Sequence, residues 1–102
     1  MNTNGYIKVR ADLLTRVMGM IFDYYELGSL SRIDVCTYWD RPLYYAYSRS
    51  NCAAIIFGNS VYYVTEREMK FILESPVEAL LPLNRQLKLP RSIRTNIWGL
   101  SQ

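Results

Sequence analysis

The 102-residue sequence predicts one α+β domain: a mixed or antiparallel sheet with two helices on one face. Apolar residues recur at three- and four-residue steps from Leu13 to Tyr25, as on a buried helical face, and a second helix start stands at Thr65. Several shorter stretches alternate, or run apolar, over strand lengths. Gly, Asn, Asp, Pro and Ser sit between them, where turns are needed.

The elements follow in order. "GYIKV" (5–9) alternates around Ile7 and Val9 and predicts a short strand. Leu13, Leu14, Val17, Met18, Ile21, Phe22 and Tyr25 then mark one face of a helix that stops at Gly28. "RIDVCTYW" (32–39) alternates again, "DRP" (40–42) turns, and "LYYAYS" (43–48) is β-prone. "RSN" leads into the apolar strand "CAAIIF" (52–57). Gly58-Asn59 predicts a two-residue hairpin turn into "SVYYV" (60–64). Thr65 and Glu68 form a capping box for a second helix, with Val64 stapled to Met69. Ser75-Pro76 with Glu78 is a second helix start, so that helix should kink or split there. "LNRQLKLP" (83–90) is a basic connection with room for one helical turn. "SIRTNIWGL" (92–100) predicts a last strand, with Ile93, Thr95 and Ile97 on one face.

The expected order is β-α-β-β-β-β-α-β over a single domain, 1–102. Strand, helix, strand recurs at 6–39 and 60–99, which suggests internal duplication of two β-α-β halves, 5–50 and 51–100.

Composition narrows the function classes. Half the residues are hydrophobic and the net charge is only +3, so a core can form and disorder is disfavoured. No stretch approaches the roughly 20 apolar residues of a membrane span, and the N-terminus lacks a signal-peptide pattern, so an intracellular protein without membrane association is expected. Nine of the twelve basic residues are arginine. Arg85, Lys88, Arg91 and Arg94 make residues 79–102 a modest basic region with no acid. There is no histidine, no Gly-rich phosphate loop and no nucleophile motif. Cys36 and Cys52 alone make no zinc site and read as two buried thiols. The expectation is a non-enzymatic protein without metal or cofactor.

Two binding readings remain. In the first, the halves leave a groove at their seam that takes a protein or peptide segment. Trp39, Tyr44, Tyr45 and Tyr47 supply contact area and Arg41 fixes polar groups. In the second, the open sheet face carries Tyr6, Lys8, Arg10, Tyr38, Tyr63, Arg94 and Trp98 and binds single-stranded nucleic acid by stacking and phosphate contacts. That layout resembles the RNA recognition motif, although "VYYV" lacks the glycine of that family's central-strand motif. Alternation puts Tyr38 on the open face and Trp39 on the covered one. It leaves Tyr45 and Tyr47 as the rings expected to face the groove. Exposed edge strands also favour a homodimer.

The tyrosine-rich runs "LYYAYS" and "VYYV", the absence of histidine and the small size carry a further resemblance. In these the chain resembles short orphan proteins of filamentous viruses of hyperthermophilic archaea, of the Acidianus filamentous virus 1 type. The resemblance implies a viral protein of the host cytoplasm with no assigned activity. It also makes a disulfide between Cys36 and Cys52 tolerable inside the cell.

Overall fold

The computed structural model describes residues 3–75, 79 and 81–100, with side chains from Ala11 onward. It is α+β, as expected, but the described residues begin and end in helices. Helix α1 spans Thr3–Tyr24. Strands β1 (Leu30–Tyr38), β2 (Arg41–Ser48), β3 (Cys52–Phe57) and β4 (Ser60–Thr65) follow, then α2 (Glu66–Glu74), a 3-10 turn (Leu83–Arg85) and α3 (Arg91–Leu100). The four strands form one antiparallel sheet in the order β1-β2-β3-β4.

Two expected strands are therefore corrected to helix. Residues 5–9 belong to α1, which runs on without a break: the link "RADLL" holds no helix-breaking residue, and extending a helix costs far less than starting one. Residues 92–100 lie in α3. Ile93 and Ile97 are four apart, a spacing that fits a strand face and a helix face equally. Leu100, three further on, completes the buried helical stripe. Without these terminal strands the two β-α-β halves, 5–50 and 51–100, do not form as expected.

The helices also do not share a face. Alternation along the strands feeds two separate clusters. Ala46, Ala54, Ile56 and Val61 point to one side and pack with Val17, Met18 and Ile21 of α1 and Ile93 and Ile97 of α3. Leu43, Tyr45, Ala53, Ile55, Tyr62 and Val64 point to the other side and pack with Met69 and Ile72 of α2. The sheet is the middle of three layers.

Local signals account for the connections. Helix α1 ends at Tyr24, four residues before the expected stop at Gly28; Gly28 lies in the loop to β1, with φ +92, and a Cβ there would lie only 2.8 Å from Ser50 Oγ. Gly58 has φ +62, and Phe57 pairs with Ser60 across the expected two-residue turn. Trp39 and Asp40 both adopt positive φ, 53 and 60, at the β1–β2 turn, an unusual conformation for a tryptophan. The α2 capping box forms as read: Glu68 N–H donates to Thr65 Oγ1 at 3.1 Å and Thr65 N–H to Glu68 Oε1 at 2.9 Å. Helix α2 ends at Glu74. The second start at Ser75-Pro76 with Glu78 falls on residues 76–78, outside the described residues.

The two sheet edges differ. At β4, Leu87 N–H donates to Val61 O at 2.7 Å, Gln86 bridges to Tyr62, and Gln86 Nε2 donates to Ser60 Oγ at 3.1 Å. Arg85 donates to Glu68 Oε1 and ties this covering segment to α2. At β1, no described residue pairs with the outer edge. Cys36 and Cys52 are free, on opposite faces of non-adjacent strands, so the tolerated disulfide is absent.

Two stability outcomes follow. Ile56→Ala leaves a cavity under α1 and should cost about 2–5 kcal/mol in urea unfolding, whereas exposed Val35→Ala should change little. Glu68 is held below its ordinary 4.5, first by the Thr65 backbone N–H; burial opposes the shift, and the Thr65 side chain and Arg85 add to it. A depressed folded value gives stability that is full above about pH 4.5 and is lost as pH falls through the folded value. Melting temperatures of Glu68→Gln should show a shallower acid decline below that pH than those of the parent chain.

Candidate binding groove

Helix α2 is only nine residues long and packs on β3 and β4. The part of its sheet face that belongs to β1 and β2 is left with a groove of about 870 Å³. Ser31 and Arg32 of β1 form one wall and Tyr47 of β2 the floor. Arg49 and Asn51 of the β2–β3 turn close one end. Glu66, Arg67, Lys70 and Leu73 of α2 form the other wall. Four cations thus face a single carboxylate.

Each wall has a structural reason. Arg32 and Tyr47 are cross-strand partners, so they share a face. The Arg32 guanidinium carbon lies 4.6 Å from the Tyr47 ring centroid, a cation–π contact. The Tyr45 ring meets Tyr47 edge-on, with centroids 5.7 Å apart and planes at 89°. Arg67 and Lys70 are one turn apart on α2, beside the buried Met69 and Ile72. Asn51 has φ 63, and its carbonyl accepts the Glu66 N–H at 3.1 Å, which joins the turn to the helix start. Buried Ser48 donates to the Leu27 carbonyl and accepts the Ser50 N–H at 3.1 Å. The end of the groove is therefore held by hydrogen bonds from three segments.

The residues expected to bind peptide are dispersed. Tyr47 lines the groove. Tyr45 is buried beneath α2 at 6% exposure; burial, then the Asp34 carboxylate, push its phenol up and keep it protonated. Tyr44 faces the other layer, against the α1 cluster. Trp39 and Arg41 sit at the far end of the β1–β2 ladder. There Trp39 is exposed beside Tyr38, and the Arg41 guanidinium lies 5.2 Å from the Phe57 ring centroid. No seam between halves brings the five together.

The alternative platform is not assembled either, because helices cover both sheet faces. Tyr38 is buried and its hydroxyl donates to the Ala79 carbonyl, while Trp39 is exposed in a turn, the reverse of the expected assignment. Tyr63 is half-buried on the α1 side, where the neighbouring Cys52, then burial, raise its phenol. Arg94 and Trp98 are exposed on α3, not on a strand. Tyr6, Lys8 and Arg10 lie in α1, and their side chains are outside the described residues.

Sequence reasoning passed over Arg32, Arg49, Arg67 and Lys70. The Arg67–Lys70 spacing beside Met69 and Ile72 was a legible signal, but which sheet face α2 would take was not. Among the described residues, no three Cys, Asp or Glu side chains gather to hold a metal, and no helix is long and apolar enough to cross a membrane. Set against protein-family models, curated proteins and solved structures, the chain matches none.

Proposed function

We propose that this chain is a non-enzymatic interaction protein whose groove takes an extended, acidic protein or peptide segment. The observation that carries this reading is the gathering of Arg32, Arg49, Arg67 and Lys70 around Tyr47, with only Glu66 opposing them. Three of the four cations are arginines, which suit bidentate carboxylate contacts. The partner supplies acidic side chains at the two walls and an apolar contact over Leu73 and Tyr47.

Single-stranded nucleic acid is the second reading, favoured by the same cations. The ring chemistry weighs against it. Base stacking needs an open aromatic face, and Tyr47 already carries Arg32 over its ring. A nucleic acid here would be gripped by its phosphates alone.

Fluorescence anisotropy separates the two. A labelled acidic peptide should bind, and Arg67→Glu with Lys70→Glu should weaken it by about tenfold or more, equal to about 1.4 kcal/mol. The same reversal at Arg91 and Arg94 on α3, away from the groove, should leave binding unchanged. No binding, or equal loss from both pairs, would overturn the peptide reading. Preference for a single-stranded oligonucleotide, with log affinity falling against log salt at a slope of about −3 for four phosphates, would favour the second.

A further inference from the structure

Strand β1 spans nine residues at a sheet edge and has no described partner on its outer side. Its regular part begins at Arg32, after a register irregularity between Leu30 and Arg32. Arg32, Asp34 and Val35 are exposed, Val35 to 50%, and Ile33 is half-buried. Among the described residues neither Arg32 nor Asp34 has an ion-pair partner. The Asp34 carboxylate accepts only the Val35 N–H, at 2.8 Å, and the Arg32 guanidinium rests on Tyr47.

Charges on an open edge usually guard it against pairing. Their order here does the opposite for one partner. Side chains opposite each other in an antiparallel ladder share a face. Two identical strands paired about a two-fold must therefore be centred on a residue. Centring on Arg32 sets arginine against arginine, and centring on Asp34 sets aspartate against aspartate. Centring on Val35 sets Arg32 against Tyr38 and Asp34 against Cys36, leaving both charges unmatched. Centring on Ile33 sets Arg32 against Asp34 twice, on either side of an Ile33–Ile33 pair. The segment Arg32-Ile33-Asp34 is complementary to itself.

We propose that the partner of this edge is a second copy of the chain. The two β1 strands pair antiparallel about Ile33, with Arg32 of each copy facing Asp34 of the other. The two four-stranded sheets then join into one of eight strands. Its outer edges are both β4, each already covered by its own Gln86–Leu87 segment, so association closes at two. The regular ladder is short, and the affinity is on the order of micromolar. The two-fold is perpendicular to the sheet, so both grooves open on the same side, with their Ser31–Arg32 walls flanking the axis. The dimer shares Arg32 with the groove, so its test is made without a groove ligand.

Sedimentation equilibrium of the full chain without ligand tests this. The parent chain should be a monomer–dimer mixture at micromolar concentration. Asp34→Arg, which sets arginine against arginine in this register, should weaken the dimer by about tenfold or more. The double swap Arg32→Asp with Asp34→Arg should restore it, which a merely unfolded or sticky variant would not do. In a Cys36→Ser background, Ile33→Cys should cross-link under mild oxidation and Val35→Cys should not. A parent chain that stays monomeric to about 100 µM, an undisturbed Asp34→Arg dimer, a double swap without rescue, or preferential cross-linking at position 35 would each overturn the proposal.

Discussion

Residues Cys52–Ile56 of β3 are all buried, so the middle of the sheet has no face left for solvent. A strand with both sides apolar is stable only if both sides are covered. This sets the whole arrangement. Ala54 and Ile56 require one layer and receive α1 and α3. Ala53 and Ile55 require another and receive α2. The alanines add a geometric term, because small side chains at the centre of each face admit a helix packed close to the strand.

The two covers are unequal, and the groove is the result. Helices α1 and α3 together have 32 residues, whereas α2 has nine. One short helix reaches β3 and β4 but leaves the β1–β2 part of its face partly uncovered. Tyr38 at one end of that part is buried and donates to the Ala79 carbonyl. Tyr47 at the other end is half-buried, with Arg32 across its ring and Tyr45 against its edge. Polar groups and cations line the space left beside α2.

Signals confined to a few neighbouring residues were legible in the sequence. The Gly58-Asn59 turn, the Thr65–Glu68 box and the Leu13–Tyr25 stripe each depend on local backbone geometry, and each formed as read. Signals that needed a partner were not legible. Ile93 and Ile97 satisfy two periodicities, and only packing against α1 selects the helix. The face chosen by α2 was hidden in the same way, although "CAAII" carried the clue. Five consecutive apolar residues in a strand leave no open platform, so the expected aromatic sheet face conflicted with β3 itself. The groove cations were missed for that reason: Arg32 and Arg67 share a site only once α2 lies on the Tyr47 side.

The sign of the groove depends on where the carboxylates of α2 lie as much as on its arginines. The first turn of α2 carries two carboxylates, Glu66 and Glu68, where the helix dipole favours them. Had both faced the groove, they would have offset half of its four cations. Two residues along the helix turn by about 200°, which sends Glu68 to the opposite flank. The capping box holds Glu68 there against the Thr65 N–H, where the same carboxylate also accepts Arg85 from the segment that covers β4. Glu68 thereby lines the opposite flank of α2, with Phe71 and Pro82, and only Glu66 remains on the groove side. One carboxylate thus helps to start the helix and to close one sheet edge, and it lies away from the groove cations.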